Sequence, residues 1–476
     1  MSTQFSLDSE IDKISRSWWF LEAENDLPSS EQLTADHRAD VAVVGGGMTG
    51  LWSALALRER SPDLDVVVVE SDLCGGQASG KNGGIVHGYW NSCARVIDAL
   101  GPTQARAVMQ MGSVAQSQIR EFCESQPERV WWKNRGMIRV ATTPQQEHAL
   151  NRTIAAARTL SEEPPITALS REVAQSRLSS PRFRRGILVR EAATVHPFRL
   201  VLALQAAVRE QKVSIYERTQ VTRVTFDGSG YRLDTPGGHV YARAVILATN
   251  TSLLSLPSVA RHVANFSSYA VMTEPVPDVL TELGWQGGEA LADSRMFLHY
   301  SRTTPDGRIL MGSGSGPMGL GRRCTNSLTR DPAAIKRAGE GLRQLFPQLR
   351  GIAIEHAWGG PIDVSSDHLP FFGCADGRGI FFGAGYSGHG VNASWIGGQV
   401  LASLALRAND EWTRSPFVSR QIPRLPPEPF RYLGGRLIQK AILECEEAEE
   451  TGKRGSRLNR LVAALPQTLG MRIGSR

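Results

Sequence analysis

Residues 40–50 read DVAVVGGGMTG, and the next twenty read LWSALALRERSPDLDVVVVE. No other stretch restricts the possible folds as much. The run Val41–Val44 is short and apolar, as a parallel strand covered on both faces requires. Gly45, Gly47 and Gly50 follow at GxGxxG spacing, with Met48 and Thr49 between them. Leu51, Ala54, Leu55 and Leu57 then recur at helical spacing up to Pro62, and DVVVVE ends on Glu70. Gly45 lets the chain turn sharply out of the strand, Gly47 lets a pyrophosphate approach the backbone, and Gly50 lets helix and strand pack closely. The helix N-terminus offers N–H groups and the positive end of its dipole to phosphates. Glu70, with Ser71 beside it, stands where a ribose diol can donate to its carboxylate. A lone GxGxxG is weak, and a purely structural glycine turn is the alternative. The complete strand–glycines–helix–strand–Glu unit predicts a dinucleotide site.

The segment after Glu70 decides which dinucleotide. Residues 74–88, CGGQASGKNGGIVHG, combine glycines and small residues with Lys81 and Asn82 and show no periodicity. Such a stretch reads as a loop whose backbone lies along a ligand, through Ala78, Ser79, Lys81, Asn82, Gly83 and Gly84. A nicotinamide-binding unit would continue here into another βαβ repeat, so the loop favours a larger, flat cofactor. Near the other end, GIFFGAG is a strand running into glycines and VNASWIGGQVLASLAL is a helix. Gly385, Tyr386, Ser387, Gly388, His389 and Gly390 join them and turn bare N–H groups and a helix N-terminus towards the strand end.

These segments resemble the FAD-binding region of the D-amino-acid oxidase superfamily, in its glycine oxidase, sarcosine oxidase and gamma-glutamylputrescine oxidoreductase branch. Residues 193–224 resemble the family's helix and strand ending at Val221, which in relatives meets the adenine side of FAD. AVILATNTSL (244–253), with Thr249, resembles the strand and turn closing the dinucleotide domain, and 379–404 the C-terminal flavin segment. The resemblance covers most of residues 38–405. It implies an α/β fold, with a Rossmann-like FAD-binding domain (38–100, 190–262 and 355–405) interleaved with a substrate domain (101–189 and 263–354) on a mixed or antiparallel sheet. An N-terminal segment (1–37) and a C-terminal connector with helices (406–476) complete the chain.

The implied activity is oxidation of an amine or amino acid. Hydride passes from the carbon beside nitrogen to flavin N5, and water hydrolyses the resulting imine. Oxygen is the expected acceptor; a dehydrogenase serving a quinone or a partner protein is the alternative. Some relatives attach FAD through a cysteine in the stretch matching 358–373. Here that stretch begins Trp358, Gly359, Gly360, Pro361, and Cys374 lies beyond it, so non-covalent FAD is expected. The glycine-oxidase pattern has an arginine before that proline. Gly360 stands there instead, which puts a small α-amino-acid substrate in doubt.

Three residues are candidates for catalysis: Lys81, His389 and Tyr300. Lys81 is read as a cation assisting oxygen or a negative flavin, or as an ordinary phosphate-facing or solvated lysine. His389 is a catalytic group or a turn histidine bonded to backbone. MFLHYSRTTPDGRILMGSG (296–314) reads as two strands about the turn TPDG, sending His299 and Ser301 to one face and Tyr300 and Arg302 to the other. Tyr300 with Arg302 would meet an acidic substrate group, or form a surface ladder pair.

Composition excludes other classes. A formal charge of +6 over 476 residues does not indicate nucleic-acid binding. Six scattered cysteines without a CxxC pair argue against zinc and disulfides and fit a reducing compartment, and no metal site is expected. The first residues lack a basic region followed by an apolar one, and no run approaches ~18 apolar residues, so a cytoplasmic, soluble protein without a transmembrane segment is expected. Segment 104–125 reads as an amphipathic helix. Phe430, Leu433, Leu437, Ile438 and Ala441 recur at helical spacing, as in a helix docked on the body; a membrane-surface or partner-binding helix is the alternative.

Overall fold

The computed structural model describes residues 5–6, 16–323, 325–468 and 471. Most of the N-terminal stretch judged not to be a signal peptide, and Cys324, lie outside them; the other five cysteines are free. No described helix is long and apolar enough to cross a membrane.

Two sheets carry the architecture. In the first, the parallel strands Ser214–Tyr216, Val66–Val69, His37–Val44, Gly238–Leu247 and Ile380–Ala384 lie side by side in that order. The Gly238–Leu247 strand is shared: its early residues pair antiparallel with Tyr231–Thr235, its last ones parallel with Ile380–Phe382. The valine runs are buried throughout because both faces are covered. Alternation sends Val41, Val43, Val66 and Val68 to a core under the helices Met48–Arg60, Pro197–Glu210 and Gly390–Ala405. Ala42, Val44, Val67 and Val69 go to a second core on the opposite face. The first and last of those helices touch at Gly398, where a Cβ would come within 2.6 Å of Trp52.

The second sheet has eight strands in the order Ile354–Ser365, Val263–Thr273, Ile309–Ser313, His299–Thr303, Ala290–Asp293, Met137–Val140, Gly186–Val189 and Ile166–Leu169. Only the Ala290–Asp293/Met137–Val140 pair is parallel, so the sheet is mixed as expected. The hairpin about TPDG forms, with Gly307 at φ +83°.

Two expected boundaries move. Ile354–Ser365 pairs along the whole of Val263–Thr273, so the segment placed in the dinucleotide domain from 355 begins in the second sheet. The helix Cys93–Glu124 is kinked at Gly101–Pro102. Its buried Val108, Met109, Ile119 and Cys123 join the core of the first sheet rather than the substrate domain expected for 101–189.

The N-terminal segment closes onto the glycine loop. Ser17 caps the helix Trp18–Glu22, accepting from Phe20 N at 3.2 Å, and its hydroxyl donates to Gly80 O at 2.6 Å. Trp19, fully buried, donates from Nε1 to Asn82 O at 2.9 Å. Ser17→Ala removes the cap and leaves the Gly80 carbonyl without this donor, so a loss of about 1–2 kcal/mol in unfolding free energy is expected, measurable by denaturant titration.

The C-terminal helix Phe430–Glu450 docks differently from its periodicity. Ala441 and Ile442 are buried, but Phe430, Leu433 and Leu437 are 70%, 61% and 57% exposed. Contact with the body is largely polar, through Arg431 on Ala260 O and Val263 O, Gln439 on Gly316 O, and Glu446 on Met296 N.

Candidate active site

A cavity of about 300 Å³ lies between the C-terminal ends of the first sheet's strands and one face of the second sheet. Three turns meet there. The first leaves strand His37–Val44 at Gly45, whose φ of +114° suits glycine. A Cβ on Gly50 would stand 1.9 Å from Gly45 O, so the turn and helix close only without one. Gly47, Met48 and Thr49 line the cavity.

Glu70 is turned inward. Its carboxylate accepts from Gly46 N at 2.7 Å, Asp72 N at 2.8 Å and Ser71 Oγ at 3.1 Å. Burial, opposed by those donors, raises its pKa.

The second turn is the segment 78–84, which opens with a single helical turn, Ala78–Lys81, where a loop was expected, and is held by its carbonyls. Ser17 binds Gly80 O, Trp358 Nε1 donates to Lys81 O at 2.8 Å, Trp19 binds Asn82 O, and Arg302 Nη1 donates to Gly84 O at 3.2 Å. Asn82 closes the loop on itself, donating to Ala78 O and Ser79 O and accepting from Gly84 N. Across the gap, Ser79 Oγ accepts from Met48 N at 2.9 Å. Lys81 Nζ is buried, lines the cavity and has no hydrogen-bond partner among the described residues. Burial brings its pKa down to about 8.

The third turn carries Gly385 and Gly388, both at φ +80°, and Ser387 at φ +54°. Asp363 holds it: Oδ2 accepts from Gly385 N and its carbonyl from Ser387 N. Burial lifts the Asp363 carboxyl to about 7. Thr49 Oγ1 donates to Tyr386 OH at 2.9 Å, joining the first turn to the third.

Of the candidate residues, Gly47, Met48, Thr49, Ala78, Ser79, Lys81, Asn82, Gly83, Tyr386, Ser387, Gly388, His389, Gly390 and Tyr300 converge on this cavity. Gly45, Gly50, Gly84 and Gly385 shape the turns behind it. Glu70 and Ser71 do not line it, and Thr249 adjoins its lining residues Ala248 and Asn250. Val221 is buried in the core of the first sheet beside Val44 and Val69. Tyr300 lies over Gly83, with its hydroxyl 3.3 Å from Ser268 Oγ. Arg302 shares the sheet face expected for it but does not line the cavity; it lies over the Trp19 ring at 5.3 Å and binds the carbonyls of Gly84, Val195 and Thr303.

The sequence reading missed one group of lining residues: His87, Asn91, Arg95 and His368. The rings of His87 and His389 lie 5.4 Å apart. Burial lowers both pKa values, and for His389 the surrounding His87, Arg95, His368 and Arg139 lower it further. Both rings are therefore neutral at neutral pH. Burial takes Arg95 down to about 10. His87 lay within the glycine-rich loop, but Arg95 is one cation on a helix with nothing local to mark it. The opposite wall is apolar, with Met137, Phe266, Ala292, Phe297 and Leu298.

A flat nucleotide cofactor fits these residues. A Cβ on Gly47 would come within 2.8 Å of Ser79 Oγ, so only bare backbone keeps the space between the first two turns open. Lys81, buried and without a hydrogen-bond partner among the described residues, lines the same cavity.

Comparison with known proteins agrees. The gamma-glutamylputrescine oxidoreductase of Escherichia coli (strain K12) is 29% identical over 432 residues, covering 88% of this chain and 94% of that protein. The probable oxidoreductase OrdL of Haemophilus influenzae is 27% identical over 430 residues, 89% of this chain and 94% of that one. The crystal structure of glycine oxidase from Geobacillus kaustophilus matches with a TM-score of 0.67 at 23% identity, covering 81% of this chain and 100% of that chain. The FAD dependent oxidoreductase family itself matches residues 40–404. With its turns, its cavity and that much of its length in agreement, the chain belongs to the FAD dependent oxidoreductase (DAO) family and is an oxidoreductase that uses FAD.

Proposed function

We propose that this oxidoreductase oxidises an amine or amino acid at the carbon beside nitrogen, with FAD held non-covalently. The observation that carries the reading is one cavity in which three glycine-rich turns and the buried Lys81 face an apolar wall. In this assignment the cofactor lies along residues 45–50, 78–84 and 385–390, and substrate meets the cavity face of the second sheet, with Tyr300 over Gly83. Bound FAD supplies the hydride acceptor.

The chain's own groups prepare the substrate. The apolar wall excludes water and disfavours an ammonium ion, so the amine is bound in its reactive, neutral form. His87 and His389, neutral through burial, can accept a hydrogen bond from it. Burial raises the pKa of the Tyr300 phenol, so it keeps its proton and serves as a donor. Lys81, charged below about pH 8, favours negative charge developing across the cavity. Gly360 lines the wall where glycine oxidases carry an arginine, which supports a substrate other than a small α-amino acid. The relatives named gamma-glutamylputrescine oxidoreductase and glycine oxidase support amine chemistry generally.

Anaerobic mixing of the purified flavoprotein with a panel of primary and secondary amines tests this. Bleaching of the flavin by at least one amine is expected, and a flavin that no amine reduces refutes the reading. Readmission of air then separates oxygen, which restores the colour promptly, from another acceptor.

A further inference from the structure

We propose that the C-terminal helix pair, Phe430–Glu450 and Arg457–Thr468, docks the enzyme on an anionic lipid surface, lying on it rather than crossing it. Apolar side chains are concentrated there in the open. Of the large hydrophobic residues exposed among the described residues, only Leu21, Val114 and Val173 lie elsewhere, scattered singly. Phe430, Leu433 and Leu437 recur at i, i+3 and i+7 on the first helix. Leu458, Leu461 and Leu465 do the same on the second, at 68%, 69% and 45% exposure. Such spacing places each set on one side of its helix. An exposed apolar stripe of this kind marks an interaction surface.

Charge selects the partner. From Thr451 to Thr468 the chain has four bases, Lys453, Arg454, Arg457 and Arg460, and no acidic residue. Two of them directly precede exposed leucines, Arg457 before Leu458 and Arg460 before Leu461. The first helix adds exposed Arg436 and Lys440 beside its own stripe, although Lys440 is drawn to Glu444 at 3.7 Å. Of that helix's five glutamates, Glu446 and Glu450 turn to the body, Glu450 meeting Arg182 and Arg295 and Glu446 meeting Met296 N, whereas Glu444 and Glu447 are exposed, Glu444 beside Lys440; the unopposed basic charge therefore lies on the second helix and the turn before it. A second copy docked about a twofold axis would set these bases against their equals, whereas an anionic lipid surface neutralises them while taking up the leucines. Neither helix is long and apolar enough to span a bilayer, so the contact is interfacial.

The pair is also positioned to matter for the site. Glu446 on the first helix holds the backbone of Met296, and Met296 lines the cavity with Phe297 and Leu298. Docking would therefore bring the cavity rim towards the lipid.

The test uses the full-length flavoprotein, sedimented with vesicles of pure phosphatidylcholine or of phosphatidylcholine with phosphatidylglycerol. Binding to the anionic vesicles alone is expected, reversed by high salt. Arg454→Gln/Arg457→Gln/Arg460→Gln should weaken it about 100-fold at low salt. Leu458→Ser/Leu461→Ser/Leu465→Ser should weaken it at least tenfold. Each variant should keep wild-type flavin absorbance, and if the leucine variant misfolds, the arginine variant decides. Failure to bind either vesicle, equal binding to both, or a solution dimer that the leucine variant splits would overturn the proposal. Vesicle binding does not read turnover, so the result stands apart from the identity of the substrate.

Discussion

Gly47→Val is expected to yield a folded protein without its yellow colour. Gly47 sits at φ −80° and ψ 177°, which any residue adopts, so the backbone tolerates a side chain. The space does not: even a Cβ would lie 2.8 Å from Ser79 Oγ, and valine would fill the opening between the first helix and the glycine loop. The substitution therefore falls on the cofactor rather than on the fold. A loss of at least about 100-fold in FAD affinity, ~3 kcal/mol, is expected, and all turnover with it. Circular dichroism should match wild type while visible absorbance disappears; a yellow, active variant would contradict the assignment. Gly50→Ala is the contrasting case, because its Cβ would stand 1.9 Å from Gly45 O and the fold itself should fail.

Lys81→Met should change both rate and stability, with opposite signs. Below about pH 8 the lysine is charged and, in the proposed reaction, favours reduction; above it the proton and the benefit are lost. The charges that act on it are Arg16 and Asp72, which are paired with each other at 2.6 Å. Flavin reduction in the variant should be about 10–100-fold slower at pH 7, with the gap closing above pH 8. For folding the same burial is a cost. The unfolded lysine keeps its proton to about pH 10.4. Between about 8 and that value the unfolded chain binds more protons, so wild-type stability rises with pH through this window. The methionine variant, freed of a buried cation, should be more stable without cofactor by roughly 2–3 kcal/mol at pH 7, with no rise above pH 8. Stopped-flow reduction and thermal unfolding of the cofactor-free protein at both ends of this range check the two halves.

What could be read from the amino acids alone was what is local. The unit from Val41 to Glu70 carries its own strand, turn and helix signals within thirty residues, and the hairpin about TPDG needs only its alternation and its glycine. The site was legible where glycines advertise close approach, at 78–84 and 385–390. The rest depends on contacts distant in sequence. Alternation puts Tyr300 and Arg302 on one face, yet two residues along a strand is about 6–7 Å, enough for one to meet the cavity and the other Trp19 and Gly84 O. His87 and Arg95 meet His368 and His389 only after the first and last thirds of the chain have packed together. The strand Ile354–Ser365 carries Gly359, Gly360 and Pro361 at its centre, which weakens its strand signal, and nothing in it says which of two sheets it will join. In the helix Phe430–Glu450, helical spacing identified the apolar side correctly but not where that side would face.

The four backbone oxygens of the 78–84 loop bear on how the holoenzyme is made. Their partners come from Ser17 and Trp19, from Arg302 and from Trp358, so a growing polypeptide leaving the ribosome has no finished cradle until about three quarters of it has emerged. With the cofactor placed along this segment as proposed, its insertion is expected late in biosynthesis, and fragments that stop short of Trp358 should accumulate without it, however well their first strands have formed.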